Sequence, residues 1–440
     1  MRLEISNFAK IGKAELDLNG ITVIVGENNT GKTTVGKILF CIFNSMYELE
    51  KQIDQKINNE IRRICVIFLR DVLVDARLAH AENYWSNISF RKNEDIGFLI
   101  ADEICNTNSD CFSIQEFKKI ILKYCKTNGF KIRDDSQDIL EEMYSRIESI
   151  LQSDRQSVAN ELVYRYFDSN FASQMCSLAS LDNEATIKLT IKNSAICVNF
   201  ARDSVSFNKN INIMNEAYFI DDPFILDDIQ LWNSGSFHSY VRPKDFLTHK
   251  LRSNEGKSES IFDAVNAKEK IAVLMEIISG IVPGKINQKG GKWSLSSQFF
   301  DTPVDFYNLS AGLKSFVLLK MLLEEGIIKE KDLIILDEPE IHQHPEWQLK
   351  YAEIIVLFQK MFDLTIVVTT HSRDFFEAID LYSKKYGIKD RCNYYLSKQS
   401  YGISTFEDMT NDTASIYRQL VNPSRLLDKL RFELEDKEND

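Results

Sequence analysis

The stretch GENNTGKT, residues Gly26–Thr33, fits the pattern G-x-x-x-x-G-K-[ST] at every fixed position. Glycines at these positions let backbone N–H groups curl around a phosphate, and a helix that begins behind the loop directs its positive end at the same anion. In this pattern Lys32 reaches the β- and γ-phosphates and Thr33 ligates Mg²⁺. We therefore predict an ATP site. Its candidate residues are Gly26, Glu27, Asn28, Asn29, Thr30, Gly31, Lys32, Thr33 and Thr34.

The residues on both sides of the loop support this interpretation. Ile21–Val25 (ITVIV) is a short apolar run of the kind found in a central strand buried on both faces. After Gly31, apolar residues recur at helical spacing from Val35 to Phe43, which predicts a helix. A strand, a glycine loop and a helix in this order are unlike a chance glycine turn that happens to contain a lysine.

A second candidate segment is Leu333–Pro339 (LIILDEP), in which four apolar residues are followed by two carboxylates. Parallel α/β sheets bind their ligands at the carboxyl ends of the strands, where these acids would lie. We predict that Asp337 belongs to the Mg²⁺ site and that Glu338 orients and deprotonates the attacking water.

The segment Thr365–Ser372 (TIVVTTHS) predicts a third strand, Thr365–Thr370, which is followed directly by His371. A lone histidine is more often structural than functional, but its place at the end of a core strand favours a role in the same site. The candidate catalytic residues are therefore Glu338, His371 and Lys32.

Strands and helices alternate in the last third of the chain, which predicts an α/β fold with a parallel sheet covered by helices. Residues 45–184 are different, because their apolar residues recur mostly at helical spacing without a sustained heptad. We predict one head, built from 1–44 and 185–440, with a mainly helical insertion at 45–184.

The composition narrows the class of protein. A net charge of −12 argues against a surface that is basic all round, and no apolar run reaches the length of a membrane span. The eight scattered cysteines and the charged N-terminus lead us to expect a cytoplasmic protein. Two local basic segments, Lys118–Arg133 and Lys285–Lys292, are interpreted as solvated charge on helices and a turn, with a DNA-binding stripe as the alternative.

The order of these motifs resembles that of the ABC ATPases. Asn308–Gly312 (NLSAG) is similar to their signature sequence, lies between the phosphate loop and LIILDEP, and is followed by a helix for which Ser310 is the predicted N-cap. The resemblance implies an ABC-ATPase head with a mostly parallel sheet and an antiparallel N-terminal β-subdomain. It also implies that Ser310, Ala311 and Gly312 of one copy contact ATP bound by another. Two ATP and Mg²⁺ would then lie between paired heads, in a homodimer or a larger even-numbered homo-oligomer.

The stretch DEPEIHQHP, Asp337–Pro345, is similar to the corresponding stretch of the OLD-like ATPases, a group that includes the ATPase subunits of the Septu, PARIS and Gabija anti-phage systems. His344 stands where transporter ATPases have an aspartate, which implies a dimer contact or a structural role. A metal site formed with His342 is the alternative. The residue after Gly312 is Leu313, where many relatives have Gln or Glu, and no Q-loop glutamine can be placed.

The resemblance implies a partner. The residues after His371 contain no pattern of a TOPRIM nuclease, so we expect a separate effector chain, a nuclease or a toxin, in an anti-phage complex. The alternative is a RecF- or SMC-like protein that binds DNA under ATP control in repair. A transporter ATPase is disfavoured, because no membrane span accompanies the head and the insertion is long.

Overall fold

The structure is a computed structural model. It describes residues 1–75, 87–107, 112–133, 135–178, 184–202, 204–209, 212–231, 240–253, 261–421, 427–431 and 433–434. The chain divides into two compact units, which we call the head unit (Met1–Tyr47 with Leu162–Asp440) and the insertion unit (Glu48–Glu161).

Strands and helices are numbered here along the whole chain. The strands are β1 (Arg2–Phe8), β2 (Ile11–Asp17), β3 (Ile21–Gly26), β4 (Leu73–Asp75), β5 (Phe130–Ile132), β6 (Ala185–Ile191), β7 (Ser194–Ala201), β8 (Ser204–Lys209), β9 (Ala217–Ile220), β10 (Lys285–Lys289), β11 (Lys292–Ser296), β12 (Val304–Asp305), β13 (Leu333–Asp337), β14 (Thr365–Thr370), β15 (Cys392–Ser400) and β16 (Ile403–Asp408). The helices are α1 (Lys32–Met46), α2 (Leu49–Val72), α3 (Asn87–Asn106), α4 (Ile114–Asn128), α5 (Gln137–Leu151), α6 (Arg155–Phe171), α7 (Ile225–Leu231), α8 (Pro243–Ser253), α9 (Ile261–Ile281), α10 (Ala311–Glu324), α11 (Pro345–Phe362), α12 (Arg373–Lys385) and α13 (Thr413–Leu420).

The head unit is organised around one large mixed sheet. Its eleven strands, counted over the described residues, follow the order β8-β7-β6-β1-β2-β16-β15-β3-β14-β13-β9. Strands β15, β3, β14, β13 and β9 run parallel, whereas β8, β7, β6, β1 and β2 pair antiparallel. The α/β class is confirmed. Antiparallel N-terminal strands are present as expected. The parallel strands form half of the sheet rather than most of it, because the hairpin β1–β2 and the mid-chain strands β6, β7 and β8 extend the same sheet.

The parallel half of the sheet positions the functional motifs. All six residues of β3 are buried, as predicted for a central strand, and β13 and β14 are almost completely buried as well. Because β3, β14 and β13 are parallel neighbours, their carboxyl ends lie at the same edge of the sheet. The loops that follow these three strands therefore meet.

The C-terminal hairpin β15–β16 joins the two halves of the sheet. Strand β15 pairs parallel with β3, with Ser397 opposite Gly26, and β16 pairs with β2. The phosphate-loop strand thus lies between β14 and β15. Helix α12 lies between His371 and β15. Ser372 starts this helix by accepting a hydrogen bond from the backbone N–H of Phe375.

The insertion unit is mainly helical, as expected. Helices α2 to α5 enclose a core of apolar side chains, and a two-stranded β4–β5 ladder accompanies them. The basic segment Lys118–Arg133 falls mostly on α4 and ends in β5. The other basic segment, Lys285–Lys292, is a β10–β11 hairpin that turns at Gly290 and Gly291.

The compact units differ from the predicted domain boundary at one end. Residues 162–184 were placed in the insertion, but from Leu162 onward the chain belongs to the head unit. The reason is packing: Phe167 and Phe171, at the end of α6, contact Phe8 of β1, and Phe167 also contacts Phe200 of β7. A second difference is α8, a helix that the sequence did not predict. It starts at Pro243, a favoured first residue of a helix.

Phe167→Ala should lower the free energy of unfolding of the head unit by about 3–5 kcal/mol, the usual cost of truncating a buried phenylalanine. Phe167 is fully buried among the rings of Phe8, Phe171 and Phe200. Denaturant unfolding measures the change. The exposed Phe299 is the matched control, and Phe299→Ala should change stability by less than about 0.5 kcal/mol. Equal effects of the two substitutions would contradict the packing of α6 in the head.

Among the described residues, no helix is long and apolar enough to span a membrane.

Candidate nucleotide site

The phosphate loop connects β3 to α1 and is held against β15. Gly31 has φ +85°, a left-handed conformation that favours glycine. A Cβ atom at Gly26 would lie 2.1 Å from the Oγ atom of Ser397, so only glycine fits beside this strand. The hydroxyl of Thr30 is hydrogen-bonded to the hydroxyl of Ser397 at 2.6 Å. Ser397 therefore supports the loop, although no local sequence pattern identified it.

Lys32 lies folded back into the loop. Its Nζ atom donates to the carbonyl oxygens of Gly26 and Glu27 at 2.9 and 2.8 Å, and the side chain is only 4% exposed. The carboxylate of Glu338 lies 3.6 Å from the same Nζ atom. The ammonium group thus sits inside the loop that is predicted to surround the phosphates, beside the predicted catalytic acid.

Asp337 joins the loop to the end of β13. Its Oδ2 atom accepts a hydrogen bond of 2.8 Å from the hydroxyl of Thr33, and its Oδ1 atom accepts one from the hydroxyl of Thr369. A threonine hydroxyl and a carboxylate are hard oxygen ligands, the kind that Mg²⁺ prefers. The two predicted metal ligands are thus within direct contact of each other, and this donor set fits a magnesium–nucleotide complex.

Glu338 is placed by its backbone. It has φ +50°, and its N–H donates to the carbonyl and the hydroxyl oxygen of Thr369, both at 3.1 Å. The Oε1 atom of Glu338 lies 3.4 Å from Nδ1 of His371. The structure therefore brings Lys32, Asp337, Glu338 and His371 together, as the sequence predicted.

The signature segment lies at the start of α10. Ser310 is the N-cap, as predicted, and its hydroxyl accepts from the N–H of Leu313 at 3.4 Å. A Cβ atom at Gly312 would lie 2.9 Å from the carbonyl oxygen of His342, so this helix end packs tightly against the loop that follows Glu338. In the described part of the chain, no hydrogen bond joins Ser310–Gly312 to the phosphate loop.

His344 caps the helix that follows this loop. Its Nδ1 atom accepts from the N–H of Glu346 at 3.4 Å, and Pro345 is the first residue of α11. The ring of His342 instead contacts the ring of Phe224, with 6.0 Å between centroids. His344 thus caps α11 in this structure, and its contact with a second copy stays a prediction.

Two carboxylates near the site were missed in the sequence. Asp221 and Asp222 directly follow β9, whose Ile220 pairs with Leu336, the residue before Asp337. Together with Asp337 and Glu338 they line a cavity of about 430 Å³. No local pattern indicated this placement, because the pairing of β9 with β13 is a long-range contact.

The sequence also indicated no role for Glu340. It is 4% exposed, and its Oε1 atom accepts from the hydroxyl of Thr370 at 2.5 Å and from the N–H of His371 at 3.2 Å. Burial raises the pKa of this carboxyl group. Glu340 therefore links the loop after β13 to the segment that carries His371.

The fold and this site define a nucleotide-binding ATPase domain. A family model described as an AAA ATPase domain matches residues 1–376, which is most of the chain and includes the phosphate loop, Asp337, Glu338 and His371. The chain belongs to this AAA ATPase domain family.

Solved structures of SMC heads show a distant likeness. The SMC head domain from Thermotoga maritima has 10% identity and a TM-score of 0.39, and the match covers 92% of this chain and 97% of that chain. The SMC head bound to the C-winged helix domain of ScpA has 10% identity and a TM-score of 0.41, with 94% and 98% covered. The Smc head domain with an extended coiled coil bound to the C-terminal domain of ScpA, derived from Pyrococcus furiosus, has 12% identity and a TM-score of 0.40, with 98% of each chain covered. Comparison with curated proteins gives no match.

Proposed function

We propose that this chain binds and hydrolyses ATP with Mg²⁺, that two copies pair head to head around two ATP, and that pairing controls a partner effector in a bacterial anti-phage complex. The observation that carries the hydrolysis step is the contact of Glu338 with both Lys32 and His371, at 3.6 and 3.4 Å, next to the Thr33–Asp337 pair.

Each side chain has a distinct task in this proposal. Lys32 exchanges its carbonyl partners for the β- and γ-phosphate oxygens. Thr33 and Asp337 hold Mg²⁺, which would neutralise the charge that develops on the phosphates. Glu338 accepts the proton of the attacking water, and His371 holds Glu338 and the released phosphate in place.

The pairing step is supported by the cap at Ser310. Among the described residues, the N–H groups of Leu313 and Lys314 donate to Ser310, whereas no hydrogen bond is made by those of Ala311 and Gly312, which are suited to an anion. An anion bound there by a second copy would complete that copy's site. Ser310 is exposed, so a larger side chain at this position is compatible with folding.

Ser310→Arg should therefore abolish most ATP turnover, because the arginine fills the space in front of the helix. Ser310→Thr keeps the capping hydroxyl and is the matched control. Mixing Ser310→Arg with Lys32→Ala, each inactive alone, should restore measurable phosphate release, since a mixed pair contains one intact site. Full activity of Ser310→Arg alone, or no recovery in the mixture, would contradict sites shared between copies.

The effector step rests on the resemblance of Asp337–Pro345 to the OLD-like ATPases. A tagged Glu338→Gln protein, isolated from its host with ATP and Mg²⁺, tests it by native mass and by identification of the chains that accompany it. A stoichiometric nuclease or toxin supports the effector step. A bare pair of heads bound to duplex DNA would replace it with an ATP-gated DNA-binding function.

The acidic neighbours of the basic segment on α4 argue against the DNA-binding alternative. Lys123 contacts Glu103 at 2.7 Å and Lys119 contacts Glu116 at 3.4 Å, so acidic neighbours offset part of the positive charge. Binding to DNA through this segment would fall steeply with salt.

A further inference from the structure

Glu340 is a buried acid whose interactions converge on one neighbouring segment. Its Oε1 atom accepts from the hydroxyl of Thr370 and from the N–H of His371. The hydroxyl of Thr370 in turn accepts from the N–H of Ser372 at 3.0 Å. This one carboxyl oxygen thus contacts the turn from β14 to α12 directly at His371, and through Thr370 at Ser372.

The environment of Glu340 is costly for a carboxyl group. Its Oε2 atom is buried and has no hydrogen-bond partner among the described residues. The one basic group that contacts it among the described residues is the imidazole of His371, whose Nδ1 atom lies 4.0 Å from Oε1. Burying an acid with an unsatisfied oxygen opposes folding. The two hydrogen bonds that Oε1 accepts offset part of this cost, and an apolar side chain would leave the hydroxyl of Thr370 and the N–H of His371 without this acceptor.

The position of His371 explains what the acid contributes. The imidazole is 45% exposed, and among the described residues the acids that it contacts are Glu338 and Glu340. The distance of this ring from Glu338 depends on where the backbone of His371 lies. That backbone is hydrogen-bonded, through its N–H, to Glu340.

We propose that Glu340 is a positioning residue for the hydrolysis reaction: by holding Thr370 and the backbone of His371, it keeps the imidazole of His371 at Glu338. This inference rests on the proposed ATP hydrolysis. It assigns Glu340 no contact with the nucleotide. Losing the acceptor should therefore affect turnover and leave nucleotide binding nearly unchanged.

The experiment compares two substitutions in the full chain. Glu340→Gln keeps one oxygen as an acceptor for Thr370 and His371, and its NH₂ group replaces the oxygen that has no partner, so activity should stay near that of the unmodified protein. Glu340→Ala removes the acceptor and should lower kcat roughly 10- to 100-fold, the range seen when the hydrogen-bonding partner that orients a metal ligand is removed. KM and the Kd for ATP should change by less than about threefold.

Glu353→Ala is the control for loss of a buried carboxylate. Glu353 is 6% exposed and pairs with Lys385 on α12, away from the turn at Thr370–Ser372. It should lower the melting temperature without lowering kcat. If Glu340→Ala does not fold, Thr370→Val takes its place: it removes the shorter hydrogen bond to Oε1 in a side chain of similar shape, and it should lower kcat in the same way.

A double-mutant cycle separates positioning from general destabilisation. In a His371→Ala background, Glu340→Ala should lower kcat by less than about twofold further, because its effect passes through His371. Multiplicative effects of the two substitutions, or a Glu340→Ala protein with unchanged kcat, would overturn the inference. Absence of ATP hydrolysis in the unmodified protein would instead overturn the proposed function itself.

Discussion

Glu338→Gln should leave ATP binding intact and lower the rate of phosphate release by roughly 10²–10⁴-fold, the range expected when a general base is removed. Glutamine has the shape of glutamate and keeps an oxygen near Lys32 and His371, which lie 3.6 and 3.4 Å from the carboxylate. It cannot accept a proton from water. The nucleotide should therefore bind and persist.

Two measurements check this expectation. Steady-state phosphate release gives the loss of turnover, and equilibrium titration with ATP gives the Kd. Light scattering should also show that ATP drives Glu338→Gln into a stable pair. Glu142→Gln, a change at an exposed, ion-paired acid of α5, is the control and should behave like the unmodified protein. Normal turnover in Glu338→Gln would sink the role assigned to this acid.

Lys32→Ala should weaken ATP binding by roughly 100-fold or more, because charge-assisted hydrogen bonds to phosphates are among the strongest polar contacts in proteins. Lys32 is 4% exposed and lies within the loop, so water replaces its charge poorly once it is removed. A hundredfold change in Kd corresponds to about 2.8 kcal/mol.

The loss of binding can be measured through stability. A ligand that binds only the folded state adds about 2.7 kcal/mol when it is present at 100 times its Kd. The melting temperature of the unmodified protein should therefore rise with ATP and Mg²⁺, and that of Lys32→Ala should stay constant. The control is Lys10→Ala, because Lys10 contacts Asn29 at the outside of the same loop. An equal ATP-induced shift in Lys32→Ala would contradict the phosphate site.

Local patterns were sufficient for most of the head. The buried strands Ile21–Gly26, Leu333–Asp337 and Thr365–Thr370 lie within a residue of their predicted limits, because continuous apolar runs with few alternatives specify them. The helix start at Ser310 was also predicted, since a serine before an apolar periodic segment is a local signal. The helix α8 was missed because its 11 residues include only three apolar side chains, Phe246, Leu247 and Leu251, too few for a periodic pattern to be clear.

The parts of the candidate site that could be predicted are those whose residues lie close together in the sequence. The loop Gly26–Thr33 needs one strand and one helix, and both are adjacent in sequence. The acids Asp337 and Glu338 end a strand, so their edge of the sheet followed from the parallel topology. Their actual contacts, such as Thr33 with Asp337 and Lys32 with Glu338, agree with this expectation.

By itself, the sequence determined the α/β class, the phosphate loop and the acids at the end of β13, because apolar periodicity and short motifs are local properties of a chain. Only the tertiary structure decided that Ser397, 367 residues from Thr30, supports that loop and that Glu340 holds the turn of His371. It also decided that residues from Leu162 onward belong to the head. These features depend on which distant segments pack together, and such packing is set by the summed burial of many side chains rather than by any one pattern.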